Sequence, residues 1–346
     1  MSYTISQVSP KDRQALSQID ALLEREGICR DAHLDYTCAI YDDDYKVIAT
    51  GSCFGNTLRC FAVDSAHQGE GLLNQLATHL IRVQMARGNT HLFLYTKTAA
   101  APLFAGLGFH EIARVKDTLV FMENRRSGFA GYLQKLSGSR RDGRSAALVM
   151  NANPFTLGHR YLAETAAAEW DTLHLFLVSE DASLIPFSVR MRLVREGVSD
   201  LSNVLIHETG PYIISSATFP SYFLKEEEAV IRGQAMLDLA IFVRIADTLG
   251  ITCRYVGEEP TSQVTGLYNQ IMQRELPTAG IGCQVIPRLE AAGRPVSAST
   301  VRCALRDGDW AVLRSLVPDV TYEYFTGDES APILERLRQA PDVVHY

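Results

Sequence analysis

Residues 151–159 read Asn-Ala-Asn-Pro-Phe-Thr-Leu-Gly-His. The apolar run before them, Ser145–Met150, suits a strand covered on both faces. The run after them, Arg160–Ala168, is Ala-rich and favours helix. Asn153–His159 should therefore form a strand-to-helix turn at the carboxyl end of a parallel strand, where open α/β sheets bind ligands. Gly158 removes a side chain where a ligand could approach the backbone. The helix start offers unsatisfied N–H groups and a partial positive charge, which suit a phosphate. His159, on the first turn, could donate a hydrogen bond to a phosphate oxygen as charge builds at phosphorus. An ordinary capped helix, with Thr156 as N-cap and His159 merely exposed, accounts for these residues as well.

Two further stretches have the makings of anion sites. Val296-Ser297-Ala298-Ser299-Thr300-Val301-Arg302 opens a late helix with hydroxyls at Ser297 and Ser299 and a cation, Arg302, one turn in. Serine before a helix is also the commonest N-cap, so the stretch alone fits plain capping. Gln68-Gly69-Glu70-Gly71-Leu72 follows the strand-like Cys60–Val63, and glycines at this spacing let backbone N–H groups converge on a pyrophosphate. A simple turn explains a lone Gly-x-Gly as often. Hydroxyls crowd Thr209–Pro220, a loop that either closes over a ligand or is packed by Tyr212 and Phe219. Glu258 and Glu259 follow a strand and would meet ribose, adenine, a metal-bound water or only solvent.

The elements that must position these residues fall into two patterns. Up to residue 124 the expected order is a helix at Pro10–Arg25, strands at Thr37–Tyr41, Val47–Cys53 and Thr57–Val63, a helix at Leu72–Gly88, a strand at His91–Tyr95, a helix at Ala99–Leu107 and a further strand. That is a compact α+β domain. Residues 125–144, with arginine, serine and glycine predominating and a short apolar patch at Phe129–Leu136, read as a linker. From 145 to 346 strands and helices alternate: strands at Ala146–Met150, Thr172–Val178, Val204–His207, Thr252–Val256 and Cys283–Ile286, separated by helices, with a final helix from about Ser299. This alternation predicts an α/β fold with a doubly wound parallel sheet.

Composition narrows the function classes. The 346 residues carry 33 Lys plus Arg against 40 Asp plus Glu, a net charge of −7, so no basic excess points to nucleic acid. The seven cysteines include no Cys-x-x-Cys pair, which argues against zinc and disulfide frameworks and fits a reducing cytoplasm. The first sixteen residues are too polar for a signal peptide, and Leu237–Ile251 is too short and too charged to span a bilayer, so no membrane association is expected.

The turn Thr-x-Gly-His together with VSASTVR resembles the HIGH-type nucleotidyltransferase superfamily, and Phe187-Ser188 with Arg192 resembles the segment between these motifs in pantetheine-phosphate adenylyltransferases. The resemblance implies a nucleoside triphosphate with Mg²⁺, attack on its α-phosphorus and release of pyrophosphate. It places Asn153, Phe155, Thr156, Gly158, His159, Ser297, Ser299 and Arg302 around ATP, with His159 and Arg302 catalytic, and assigns no residue as a metal ligand. Leu184-Ile185-Pro186 stands where that family carries a basic residue, and Arg190, Arg192 or Lys225 would substitute as a phosphate contact. The smaller domain resembles the GNAT acetyltransferases through Gly69, Gly71 and Leu107-Gly108-Phe109, with Ala66 in place of the family's Arg or Gln. Gly69 and Gly71 would then bind a CoA-like arm.

A GNAT-like domain followed by a Thr-x-Gly-His domain resembles the citrate lyase ligase family. The matching stretches are NANPFTLGHRYL, HETGPYIISSATFPSYFLK, RYVGEEPTSQVTGLYN and VSASTVR, in that order. The resemblance implies ATP-dependent acetylation of the prosthetic-group thiol on the acyl-carrier subunit of citrate lyase, through acetyl-adenylate, with acetate as substrate and a dephospho-CoA-like arm on the partner. A nucleotidyltransferase acting on a phosphorylated small molecule, and a non-catalytic nucleotide or CoA sensor, remain as alternatives.

Overall fold

The computed structural model describes residues 3–31, 33–180, 183–213, 227–258, 263–291, 293–340 and 343. Contacts divide the chain into two compact units, Met1–Gly131 with Pro220–Ala240, and Tyr132–Phe219 with Ile241–Tyr346.

The first unit runs β1 (Ile5–Gln7), α1 (Arg13–Arg25), β2 (Tyr36–Tyr41), β3 (Val47–Phe54), β4 (Thr57–Val63), α2 (Leu72–Ala86), β5 (Phe93–Thr96), α3 (Ala101–Gly106), β6 (His110–Val115) and β7 (Leu119–Glu123). Helix α1 begins where the Asp12 carboxylate accepts the Ala15 N–H at 3.0 Å, and it buries the stripe Ala15, Ile19, Leu22 and Leu23. The seven strands form one sheet in the order β1-β2-β3-β4-β5-β7-β6. Only β4 and β5 are parallel, and they pair at just two positions, Thr57 with Phe93 and Leu58 with Leu94. Beyond Leu58 the two strands no longer pair, and the chain after β4 turns through Gly69 and Gly71 into α2. Two strands exceed the expected set. The three-residue β1 is too short for a periodic signal. The β6–β7 hairpin turns through Asp117 at φ +55° with no glycine to mark it.

Helix α4 (Gly128–Ser137) lies in the segment read as a linker. The second unit continues with β8 (Ser145–Met150), α5 (Leu157–Glu169), β9 (Thr172–Leu177), α6 (Phe187–Gly197), β10 (Val204–Glu208), α7 (Glu227–Leu249, whose first half belongs to the first unit), β11 (Ile251–Gly257), α8 (Gln263–Glu275) and β12 (Gly282–Ile286). Its five strands are all parallel, in the order β10-β9-β8-β11-β12. The winding runs outward from β8 to β9 and β10, then returns to the other side of β8 through β11 and β12. That reversal is the doubly wound pattern, and its switch point lies between β8 and β11.

The expectation of a single final helix is corrected. After α9 (Ala298–Asp307) come α10 (Trp310–Leu316), α11 (Asp319–Thr326) and α12 (Ala331–Gln339). Leu313, Leu316, Phe325 and Leu337 from these helices enter the same core as Leu148 and Leu175 of the sheet. Each helix is short and its apolar residues are few, which hides its period in the sequence. Among the described residues no helix is long and apolar enough to cross a membrane.

Two histidines of this core face each other across the sheet. His174 Nδ1 of β9 and His207 Nε2 of β10 lie 2.9 Å apart, with the rings stacked. Burial, with Arg141 nearby, pushes His174 down to about 4; burial, with His174 itself, does the same to His207. Both therefore stay neutral in the fold but protonate near 6.5 when unfolded, so their contribution to stability is present above about pH 6.5 and is lost as pH falls towards 4. Thermal melts should show a falling midpoint across that window, and the double variant His174→Leu/His207→Leu should flatten it; a slope as steep as wild type would contradict this reading.

Candidate active site

The turn after β8 is built for close packing. Ala152 takes φ +49°, the Asn153–Pro154 bond is cis, and Phe155 is fully buried with Thr321 Oγ1 donating to its carbonyl at 3.1 Å. The Phe155 ring fills the space left by Gly197 of α6, where any side chain would collide with it. The sequence-based assignment of Phe155 to the ligand is thus corrected: its side chain anchors the turn in the core.

Thr156 N-caps α5. Its hydroxyl accepts the His159 N–H at 3.3 Å, and His159 Nδ1 accepts the Thr156 N–H at 3.1 Å, a capping box with histidine in the place usually held by Glu or Gln. The hydroxyl also lies 2.9 Å from Nδ1. Because Nδ1 accepts a backbone N–H, it carries no proton, and the neutral ring holds its hydrogen on Nε2. Burial, then the charges of Arg288 and Arg302, push the His159 pKa down to about 4. At neutral pH the half-buried ring is therefore a neutral Nε2–H donor. Gly158 has no packing requirement to be glycine: an added Cβ would make ordinary contacts of 3.5 Å to Thr156 Oγ1 and Val296 O.

That Val296 carbonyl belongs to the second stretch. Ser297 N-caps α9, accepting the Thr300 N–H at 3.0 Å, and its hydroxyl lies 2.9 Å from Ser299 Oγ and 2.7 Å from Thr300 Oγ1. The N-termini of α5 and α9 are therefore neighbours. Arg302 ties them: Nη1 donates to Asn153 O and Nε to Val343 O, both at 2.6 Å. Only 3% of Arg302 is exposed, so the expectation that its guanidinium grips phosphate is corrected. Its donors hold the backbone of the turn, and it is a positioning residue.

The other cations are also placed by the fold. Arg190, wholly buried, donates from Nη1 to the carbonyl and side-chain oxygens of Asn151 and to Val178 O, from Nε to Ile185 O and from Nη2 to Glu180 O, clamping the loops after β8 and β9. Arg192 is a surface residue paired with Glu196 at 3.1 Å and Glu329 at 2.8 Å, so acidic partners occupy its guanidinium in this structure. Lys225 lies outside the described residues, as do residues 214–220 of the hydroxyl-rich loop and Glu259. Arg288, which the sequence reading missed, sits two residues past β12, donates from Nε to Val296 O at 3.2 Å and is close enough to His159 to depress its pKa. Its position just beyond the carboxyl end of a parallel strand was the available signal.

In the first unit, Gly69 (φ +87°) and Gly71 (φ +76°) are required by backbone conformation, since an added Cβ at either would meet nothing within 4 Å. Gly71 N-caps α2 without a side-chain bond. Between them, the Glu70 carboxylate accepts the Tyr3 hydroxyl at 2.6 Å and pairs with His67 at 3.1 Å. Among the described residues, no group of three or more His, Cys, Asp or Glu could hold a metal ion.

The citrate lyase ligase C-terminal domain family matches residues 145–325. The [Citrate [pro-3S]-lyase] ligase of Klebsiella pneumoniae is 40% identical over 320 residues, covering 91% of this chain and 93% of its own. The chain belongs to the citrate lyase ligase family. The Escherichia coli member is 39% identical over 341 residues, covering 96% of this chain and 95% of its own. A solved GNAT-family acetyltransferase from Staphylococcus aureus is 12% identical, covers 36% of this chain and 100% of its own, and has a TM-score of 0.30.

In this chain, Arg302→Met should cost about 2–5 kcal/mol in urea unfolding, because it strands two buried carbonyls. Arg192→Ala should stay within about 0.5 kcal/mol. Equal effects of the two would refute the assigned roles.

Proposed function

We propose that this chain is an acid–thiol ligase that uses ATP to acetylate the prosthetic-group thiol on the acyl-carrier subunit of citrate lyase, through acetyl-adenylate, releasing AMP and pyrophosphate in the cytoplasm. The observation that carries this reading is the junction of the Asn153–His159 turn with the Val296–Arg302 segment. Arg302 bonds to Asn153 O, and Val296 O lies beside Gly158. Two helix N-termini, the neighbouring Arg288 and a neutral imidazole donor then share one place, an arrangement suited to a polyphosphate.

In the first step an acetate oxygen attacks the α-phosphorus of ATP in line and pyrophosphate leaves. No enzyme nucleophile is needed; positioning and charge neutralisation carry the step. The Nε2–H of His159 donates to phosphate oxygen as negative charge develops. Ser299 and the first N–H groups of α9 hold the outer phosphates, and Arg288 adds the positive charge that the buried Arg302 does not present. Mg²⁺ would neutralise part of the triphosphate charge; with no acidic cage among the described residues, phosphate oxygens and water would supply its ligands. In the second step the thiolate attacks the acetyl carbonyl, a C–S bond forms and AMP departs. The open glycine loop at Gly69 and Gly71 would receive the dephospho-CoA-like arm.

ATP–pyrophosphate exchange that requires acetate is the expected result. Exchange driven only by a phosphorylated co-substrate, or none, would overturn the reading. His159→Ala should lower exchange by about 10²–10³-fold. Gly158→Ala should leave the protein as stable or slightly more stable, by up to about 1 kcal/mol, since alanine favours helix and the fold has room for it. The same variant should weaken ATP binding; unchanged ATP affinity would show that no ligand comes close at that position.

A further inference from the structure

Helix α2 of the first unit starts without a side-chain cap. Gly71 is its N-cap, and among the described residues the N–H groups of Gly69, Glu70 and Gly71 make no hydrogen bond. A row of backbone donors at a helix start attracts the nearest anion. Here the nearest in sequence is the carboxylate of Glu70 itself, which stands between the two glycines. Left alone, it would fold back on these donors, as acidic side chains do at N-caps and in first turns.

The fold captures that carboxylate elsewhere. Oε2 accepts the Tyr3 hydroxyl at 2.6 Å, and Oε1 lies 3.1 Å from Nδ1 of His67. Both oxygens are engaged, and among the described residues neither meets a backbone N–H of the loop. Tyr3 comes from 67 positions earlier in the chain, so the loop alone could not make this contact. Strand β1, whose Ile5 pairs with Ile40 of β2, anchors the segment that carries it. The Tyr3 hydrogen bond, and after it His67, hold the Glu70 carboxyl below the ordinary carboxylate range, so it stays charged at neutral pH.

We infer that Tyr3 and His67 restrain the Glu70 carboxylate, so that the donors of the glycine loop stay open to the diphosphate of the thiol arm. The inference rests on the reading that a dephospho-CoA-like arm enters at Gly69 and Gly71. It adds the residues that decide whether the loop accepts an anion. Tyr3 and His67 are positioning residues: once freed, the carboxylate competes for the same N–H groups and repels the diphosphate. The interaction is solvent-exposed, so its size is modest. Charges about 7 Å apart at a surface shift affinity by about three- to tenfold.

The test is calorimetric titration of the full chain with dephospho-CoA, the nucleotide site being saturated with Mg²⁺ and α,β-methylene-ATP. Wild type is compared with Tyr3→Phe, Glu70→Gln and the double variant. Tyr3→Phe removes a single oxygen and should weaken binding by the factor given above. Glu70→Gln should bind at least as tightly as wild type. The double variant should match Glu70→Gln, because the loss requires the carboxylate. Added NaCl should shrink the Tyr3→Phe gap by screening. Pantetheine, which has no diphosphate, should bind all four proteins alike. A merely structural role for Tyr3 would leave the double variant as weak as Tyr3→Phe. That result, wild-type affinity in Tyr3→Phe, or an equal loss with pantetheine would each overturn the inference while leaving the arm's place at the loop intact. A wild-type protein that binds no dephospho-CoA would overturn that placement and the inference with it.

Discussion

The second unit depends on a buried guanidinium holding a carbonyl 149 positions earlier in the chain. Taking Arg302 out of water costs several kcal/mol. Charge-assisted hydrogen bonds to Asn153 O and Val343 O offset that cost, and only while the turn after β8 stays where it is. The bond thereby sets the register between the first strand-to-helix turn and the late helix. Once it is made, Val296 O lies against Gly158, and the N-termini of α5 and α9 become neighbours. Two positive helix ends side by side repel each other weakly. The core beneath them, from Phe155 to Phe325, keeps them together.

The same constraint explains the state of His159. A glutamate at this position of a capping box would cap the helix equally well, but it would put a full negative charge where the proposed phosphate would sit. Histidine accepts the same backbone N–H without that charge. Burial and the two nearby arginines keep the ring neutral, and the cap fixes its remaining hydrogen on Nε2. One pair of hydrogen bonds thus starts the helix and selects the tautomer that can donate.

Much of this was legible in the sequence, for physical reasons that differ along the chain. Residues 145–158 combine a doubly buried apolar strand, a proline-containing turn and a good N-cap, so local propensity and tertiary fold agree there. The alternation from β8 to β12 is long and regular enough to reveal a parallel sheet. The direction in which a side chain points was not legible. Arg302 reads as a phosphate ligand because it follows two serines by one turn; the fold turns it inward, because α9 packs that face on the core. Arg192 has the right neighbours in sequence but meets Glu329, a residue 137 positions away. Arg288 was missed because no local pattern surrounds it; only the strand order brings it beside His159. Phe155 looked like part of a motif, and its conspicuous position reflects packing against Gly197.

The central claim is that the Asn153–His159 turn and the Arg288–Arg302 stretch act as a single nucleotide-binding surface. Amide hydrogen exchange of the full chain, with and without Mg²⁺ and a non-reacting ATP analogue, tests it most directly. The account predicts that peptides covering 151–160 and 288–302 gain protection together, at the same ligand concentration. Protection of only one of them, or protection confined to the loop at 68–71, would contradict it.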